Sequence, residues 1–151
     1  MPPELGRALL AQRQLETLIK QTCKKSESEI KDLLQSPKPE MRFAAAVAVG
    51  EKGLPLADSL IELLNDSDVL VRQAARRSLV VLSYYVDAGR KSNLRNARPQ
   101  AVDYGPKSVK SWAVKDAQKK WTDWVGRNRT ALAQIDVAQL TAAATPEAKK
   151  K

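Results

Sequence analysis

The chain has 151 residues, of which 43% are hydrophobic and 5% aromatic, and its formal net charge is +9. This length is enough for one domain with a modest core. Histidine is absent, which removes the commonest general base and the commonest metal ligand. The single cysteine, Cys23, excludes an internal disulfide and a four-cysteine metal site. Abundant Ala, Leu, Lys and Glu beside one Phe favour an all-α fold.

The beginning of the chain predicts an amphipathic helix and has no pattern of a membrane span or signal peptide. No apolar run reaches the roughly 18 residues of a membrane span, and Met1-Pro2-Pro3-Glu4 does not resemble a signal peptide. We therefore expect a cytoplasmic protein. Apolar residues then recur close to a 3.6-residue spacing, which predicts an amphipathic N-terminal cap helix over residues 4–23. These residues are Leu5, Leu9, Leu15, Leu18 and Ile19.

The middle of the chain, residues 27–85, contains two copies of one unit. A shift of 30 residues places Arg42 on Arg72, and it superimposes two Leu-Leu pairs and two Ala-Ala pairs. Each unit is predicted as a helix ending at Leu-Leu, a polar turn, and a second helix beginning just before the arginine. The expected helices span residues 27–35, 39–50, 55–65 and 69–85. The repeat signature consists of Leu33, Leu34, Arg42, Leu63, Leu64, Asp68 and Arg72.

The turns of the two units carry local start and stop signals. Ser26 and Glu29 form a capping-box pattern, and Pro39 suits the first position of a helix. Asp68 is expected to cap the second helix of the second unit, and Gly53 lies where the first unit should end. We expect Arg42 and Arg72 to recur because they hydrogen-bond neighbouring turns.

These residues, from Ile30 to Ser83, resemble HEAT-like repeats of the short bacterial type, with their leucine pair, acidic turn, Val-Arg and Ala-Ala signature. The first copy departs from the pattern, since Ser36 and Lys38 replace the turn aspartates. The resemblance implies a short α-solenoid of helix pairs. It implies less about function, because such repeats serve adaptors, enzyme subunits, lyases and nucleic-acid binders.

Two units expose an apolar face at each end, so the flanking segments should supply cap helices. Residues 107–127 are predicted as the C-terminal cap helix, with an apolar stripe that includes Trp112, Trp121 and Trp124. We expect these rings to pack on the last repeat rather than to stack on a ligand or base. Residues 1–128 then form one helical domain, and residues 129–151 form a C-terminal tail that we expect to be flexible.

Positive charge is concentrated behind the repeats. Residues 1–89 carry 12 Lys or Arg against 12 Asp or Glu, whereas residues 90–129 carry 11 against 3. Residues 87–107 contain Gly and Pro and are predicted as a basic insertion loop. The candidate partner-binding residues are Arg90, Lys91, Arg95, Arg98, Lys107 and Lys110.

The expected function is that of a non-catalytic interaction module or accessory subunit of a larger complex. It would bind a protein partner with an acidic surface through its helical surface and basic loop. The alternative is nucleic-acid binding through residues 90–129, although no recognition motif accompanies the charge. A minor alternative is a HEAT-like DNA glycosylase or lyase. We predict no catalytic constellation, metal site or cofactor, and the partner and oligomeric state stay open.

Overall fold

A computed structural model describes residues 3–88 and 111–144, with side chains described over 11–88 and 113–140. Every regular element in those ranges is an α-helix. The helices are α1 (Pro3–Cys23), α2 (Glu27–Leu33), α3 (Pro39–Lys52), α4 (Ala57–Leu63), α5 (Val69–Ala88), α6 (Ser111–Ala133) and α7 (Val137–Ala144). The chain is therefore all-α, as predicted, and none of the described helices is long and apolar enough to cross a membrane.

The helices of the repeats lie in two layers. Helices α1, α3 and α5 pack side by side in one layer, which we call the inner layer. Helix α2 packs on α3 and helix α4 on α5, so these two shorter helices form the outer layer. Each unit is thus one outer and one inner helix, which is the arrangement of a short α-solenoid.

Local capping explains where the helices of the repeats begin. Ser26 Oγ accepts the amide of Glu29 at 3.2 Å, and the Glu29 carboxylate accepts the amide of Ser26, which completes the predicted capping box of α2. Pro39 occupies the first turn of α3. Asp68 Oδ1 accepts the amides of Leu70 at 2.9 Å and Val71 at 3.3 Å, so it caps α5 as predicted.

Equivalent positions of the two units fill the space between the layers. Ile30 and Leu60 are both fully buried, as are Val49 and Leu79. The leucine pairs also face this core, with Leu34, Leu63 and Leu64 buried and Leu33 packed against its edge. The 30-residue shift therefore reproduces burial as well as identity, and hydrophobic burial between the layers holds the array together.

Helices α3 and α5 approach each other most closely at Gly50. A Cβ on Gly50 would lie 2.6 Å from Ser78 Oγ, so only glycine leaves room for that hydroxyl. Ser78 Oγ in turn donates a 2.6 Å hydrogen bond to the carbonyl of Ala46. This bond satisfies a buried polar group inside the interface of the two inner helices.

Helix α6 closes the array by packing on α4 and α5. Gln118 Nε2 donates to the carbonyl of Ile61, and Arg129 forms an ion pair with Asp58, so α6 runs antiparallel to α4. Its buried face contains Trp121 and Trp124, whose rings meet edge to face with centroids 5.6 Å apart. Trp112 lies in α6, but its side chain is outside the described residues.

Residues 129–144, which we expected to belong to a flexible tail, contain the end of α6 and all of α7. Helix α6 kinks at Asn128, where the predicted helix was expected to end, and then continues to Ala133. Helix α7 follows, and the side chains of Ile135 and Val137 lie against Gly53 at the end of α3. Gly53 ends α3 in a left-handed conformation, with a φ of +63°. The Gly53 backbone therefore lies against Ile135 and Val137. Residues 145–151 lie outside the described residues.

The other differences from the predicted boundaries are small. The first helix of each unit ends two residues early, at Leu33 and Leu63, and α4 starts at Ala57 instead of 55. Helix α3 extends to Lys52 and α5 to Ala88, so the predicted loop over 87–107 cannot begin before residue 89. The predicted start of the next helix at 107 falls outside the described residues.

Candidate partner-binding surface

Potential metal ligands do not cluster in the described part of the chain. No group of three or more His, Cys, Asp or Glu that could hold a metal occurs within 3–88 and 111–144. Burial raises the pKa of the Cys23 thiol, and the nearby Glu51 carboxylate adds to that rise. A raised pKa disfavours the thiolate, which is the reactive form. The structure therefore gives Cys23 no feature of a nucleophile.

The predicted partner-binding residues Arg90, Lys91, Arg95, Arg98, Lys107 and Lys110 all lie outside the described residues. The repeat signature lies inside and can be followed atom by atom. Its leucines lie in the core or, for Leu33, against its edge, and Trp121 and Trp124 of α6 are in the core as well. Its arginines and Asp68 gather instead at one edge of the array, around the turns that join outer to inner helices.

Arg42 joins the two repeats at that edge. Its Nε and NH2 donate to the two carboxylate oxygens of Asp66, at 2.8 and 3.0 Å, while its NH1 donates to the carbonyl of Ser36 at 2.8 Å. Asp66 raises the pKa of Arg42 by accepting these bonds. A bidentate pair of this kind fixes the orientation of both groups. Arg42 therefore fixes the first turn to the second.

Arg72 occupies the equivalent position in the second repeat but has fewer partners. Its NH1 donates to the carbonyl of Asp66 at 2.6 Å, as Arg42 does to Ser36. Its Nε is buried without a hydrogen-bond acceptor. Within the described residues, no carboxylate pairs with Arg72 as Asp66 pairs with Arg42.

A groove opens on the inner layer beside this edge. It has a volume of about 370 Å³ and lies between the second half of α1 and the first turns of α3 and α5. Apolar side chains form most of it, among them Leu15, Leu18 and Phe43, which are half-buried. Leu70 lines the same groove and is 50% exposed, although it is a large hydrophobic residue. We call this surface, with Glu40 and Asp68 at its rim, the inner groove.

The inner groove continues along the inner layer into a second hollow. Phe43 lines both, and the second hollow follows α3 and α5 past Val47, Ala74 and Val81 as far as Tyr85. The inner layer thus presents a channel along its helices that is mostly apolar at the inner groove and mixed in polarity beyond it. Exposed apolar surface bordered by polar residues is typical of interaction sites.

Charge is distributed unevenly along this channel. Over the side chains described (11–88 and 113–140), the inner groove is lined by two carboxylates, Glu40 and Asp68, and by no Lys or Arg. The second hollow is lined by one acid and one base, Glu51 and Arg77. One end of the channel is therefore acidic and the other is balanced.

Helix α6 presents the basic face that the sequence predicted. Lys115, Lys119, Lys120, Arg127 and Arg129 are all exposed. Two of them are ion-paired, Lys120 with Asp116 at 3.0 Å and Arg129 with Asp58 at 3.0 Å. Asp58 raises the pKa of Arg129 through that hydrogen bond. These pairs reduce the free positive charge of the helix.

The sequence indicated binding through the helical surface and the basic loop but did not locate the inner groove. The signal that could have found it is Leu70, which the 30-residue shift places on Glu40. An apolar residue stands where the other copy has a charge at the solvent-facing start of a helix. An exposed leucine at this position does not contribute to packing within the repeat, so it indicates a surface that binds something else.

Comparison with known proteins identifies the repeats. The family model described as HEAT repeats matches residues 7–80. This match begins before the stretch from Ile30 to Ser83 on which the resemblance rested, and it includes most of α1. No curated protein and no solved structure matches the chain.

Proposed function

We propose that this chain, whose residues 7–80 belong to the HEAT repeat family, is a non-catalytic module that binds a protein partner on its inner groove. HEAT repeats generally mediate protein–protein interaction. The observation that carries the proposal here is Leu70, half exposed in a groove whose other large side chains, Leu15, Leu18 and Phe43, are half-buried. Burying such a surface against a partner gives favourable free energy without rearranging the array.

The arrangement of the array supports the same face. The outer helix α4 is covered by α6, and its residues Ala57, Leu60 and Leu63 are already buried. Among the described residues, nothing covers the channel on the side of the inner helices α1, α3 and α5. A rigid layer that presents a preformed groove limits the entropy lost on binding.

Site-specific crosslinking tests the proposal. A photoreactive phenylalanine analogue at position 70 should give a discrete protein adduct in a lysate of the source organism. The same analogue at position 62 is the matched control, because Glu62 is exposed on the outer helix α4. Adducts from position 62 in place of position 70 would contradict the proposed binding face.

The second part of the proposal concerns the basic segment, residues 90–98. We expect Arg90, Lys91, Arg95 and Arg98 to speed encounter with an acidic region of the partner. Changing all four to Glu should leave the melting temperature nearly unchanged, because substitutions in a segment predicted from sequence as a surface loop usually cost within about 0.5 kcal/mol each. Partner capture from lysate should fall. Undiminished capture by the reversed protein would remove the segment from the binding account.

Nucleic-acid binding is the second candidate, and the exposed cations of α6 favour it. Lys115, Lys119 and Arg127 lie on one exposed helix, close in sequence to the basic segment 90–98. Binding of this kind falls steeply as salt rises, because each neutralised phosphate releases counterions. Fluorescence anisotropy with labelled DNA and RNA over a salt series separates the two candidates. Tight, salt-steep binding that the four-Glu variant loses would favour nucleic acid over a protein partner.

A further inference from the structure

We propose that the occupant of the inner groove is an amphipathic helix of the partner that carries Lys or Arg beside its apolar anchors. The inference rests on the proposed function, since it names the chemistry of the partner at the same site. Three features of the groove lead to it, namely its apolar wall, its acidic rim and the kind of backbone that surrounds it.

The apolar wall requires large side chains in the occupant. A volume of about 370 Å³ between Leu15, Leu18, Phe43 and Leu70 has room for anchors, and the hollow continues along α3 and α5. A helix with apolar side chains one turn apart supplies such anchors along one face. The channel follows the inner helices, so successive anchors would lie along it.

The backbone around the groove favours a helix over an extended peptide. An extended strand binds by pairing its backbone with an exposed sheet edge. All regular structure within 3–88 and 111–144 is helical, so the described part of the groove offers no sheet edge with which an extended peptide could pair. A helical occupant satisfies its own backbone hydrogen bonds and leaves none unpaired on entering the groove.

The acidic rim requires positive charge in the occupant. Glu40 is exposed at the rim, and Asp68 uses Oδ1 to cap α5. The amino ends of α3 and α5 oppose these charges with about half a unit each, so the rim keeps net negative charge. Asp66 is neutralised by its bidentate pair with Arg42 and adds little. Among the residues whose side chains the structure describes, no Lys or Arg lines the groove.

The two repeats contribute different side chains to the inner groove at equivalent positions. Glu40 and Leu70 are equivalent positions, so the first repeat contributes an acid and the second an apolar side chain to the same groove. An amphipathic helix with a basic flank complements that pair. An acidic helix would place like charges against Glu40 and Asp68 and lose affinity.

Two labelled helical peptides test the inference against the full-length chain. Both carry Leu and Phe one turn apart on one face, and the remaining exposed positions are Lys in the basic peptide and Glu in the acidic peptide. The chain as a whole has a net charge of +9, so non-specific attraction favours the acidic peptide. A preference for the basic peptide can therefore come only from a local acidic surface.

Anisotropy at about 0.1 M salt, where the Debye length is about 10 Å, measures the preference. We expect the basic peptide to bind about tenfold more tightly than the acidic one. Glu40→Lys should abolish that preference, while Glu62→Lys, the same charge change on the exposed face of α4, should preserve it. Leu70→Ala should weaken both peptides. Circular dichroism checks that each variant is folded, and Glu40→Gln repeats the test with a smaller change.

Several results would overturn the inference. Equal binding of both peptides, absence of binding, or the same response to Glu40→Lys and Glu62→Lys would each do so. If Leu70→Ala still weakened both peptides, the groove would remain the docking site and only its charge preference would be wrong. Sedimentation gives the last check, because a dimer that Leu70→Ala dissociates would make a second copy of the chain the occupant.

Discussion

The two repeats differ most at their arginines, although the residues around them are nearly the same. Arg42 of the first repeat holds its own turn and the Asp66 carboxylate of the next turn. Arg72 of the second repeat holds only its own turn, and its Nε has no acceptor. The signature arginine therefore has two separable roles, one within a repeat and one between repeats. The second role requires a carboxylate on a following turn, and the described residues offer none to Arg72.

The turns of the two repeats differ in a related way. In both, a side chain two residues before the helix cap accepts the cap amide, Ser36 for Lys38 at 3.2 Å and Asp66 for Asp68 at 2.9 Å. Only the second repeat then caps its inner helix with a side chain, since Lys38 makes no side-chain cap bond. The first turn keeps the geometry of the second while missing part of its stabilisation.

The largest expected effects come from the core positions that the two repeats share. Leu79→Ala should destabilise the chain by about 2–5 kcal/mol, because the side chain is fully buried. Val49→Ala, its equivalent, removes one carbon fewer and should cost about 1 kcal/mol less. Urea denaturation measures both. A larger loss for Val49→Ala would show that the two units contribute unequally to the core.

The next largest effect is the expected difference in stability between substitutions at Arg42 and at Arg72. Arg42→Gln leaves the Asp66 carboxylate, whose side chain is only 9% exposed, without its partner, and should cost about 2–3 kcal/mol. Arg72→Gln should cost less than about 1 kcal/mol, because it loses one hydrogen bond and removes an unpaired buried group. A double-mutant cycle of Arg42→Gln with Asp66→Asn isolates the pair. Equal losses at the two arginines would mean that Arg72 has an acceptor that the structure does not contain.

A smaller gain should follow from giving the first repeat the cap of the second. Lys38→Asp supplies a side-chain acceptor at the start of α3 and should stabilise the chain by about 0.5–1 kcal/mol. Lys38→Ala is the control, since it removes the lysine without adding a cap. If both variants had the same melting temperature, the missing cap would not be a cost in the first repeat.

The smallest effect concerns pH and the start of the first repeat. Hydrogen bonds from the Ser26 backbone and hydroxyl lower the pKa of Glu29 below its ordinary value of about 4.3. The resulting stabilisation is complete above that value and is lost as pH falls through the lower folded pKa. Glu29→Gln should therefore lower the melting temperature slightly at pH 7 and not at pH 2. A difference that persists at pH 2 would assign the effect to something other than charge.

The sequence was sufficient to predict the repeats because their signals are local or periodic. The caps at Ser26 and Asp68 act within one turn, and the leucine positions recur every 30 residues. The ends were less accurate for reasons that are also local. Ser83 stands where the first repeat has Gly53, so nothing stops α5 there and it runs on to Ala88. Helix α7 was missed because its residues are small and carry no repeat signature, although Asp136 caps it by accepting the Gln139 amide.

The direction of α6 and the inner groove could not be predicted in the same way. The direction of α6 depends on two contacts between residues that are far apart in the sequence. Gln118 contacts Ile61, 57 positions away, and Arg129 contacts Asp58, 71 positions away. The inner groove depends on which side of three helices remains uncovered. Periodicity identifies a buried face but gives no information on whether its neighbouring side chains leave a hollow.

The most direct test of the binding account is amide hydrogen exchange of the chain alone and with its captured protein partner. The account predicts that exchange slows on partner binding along α1 and at the starts of α3 and α5, around Leu70 and Phe43. Outer helix α4 should keep its exchange rates. Slowing confined to α4 and α6, with no change along the inner groove, would contradict the account.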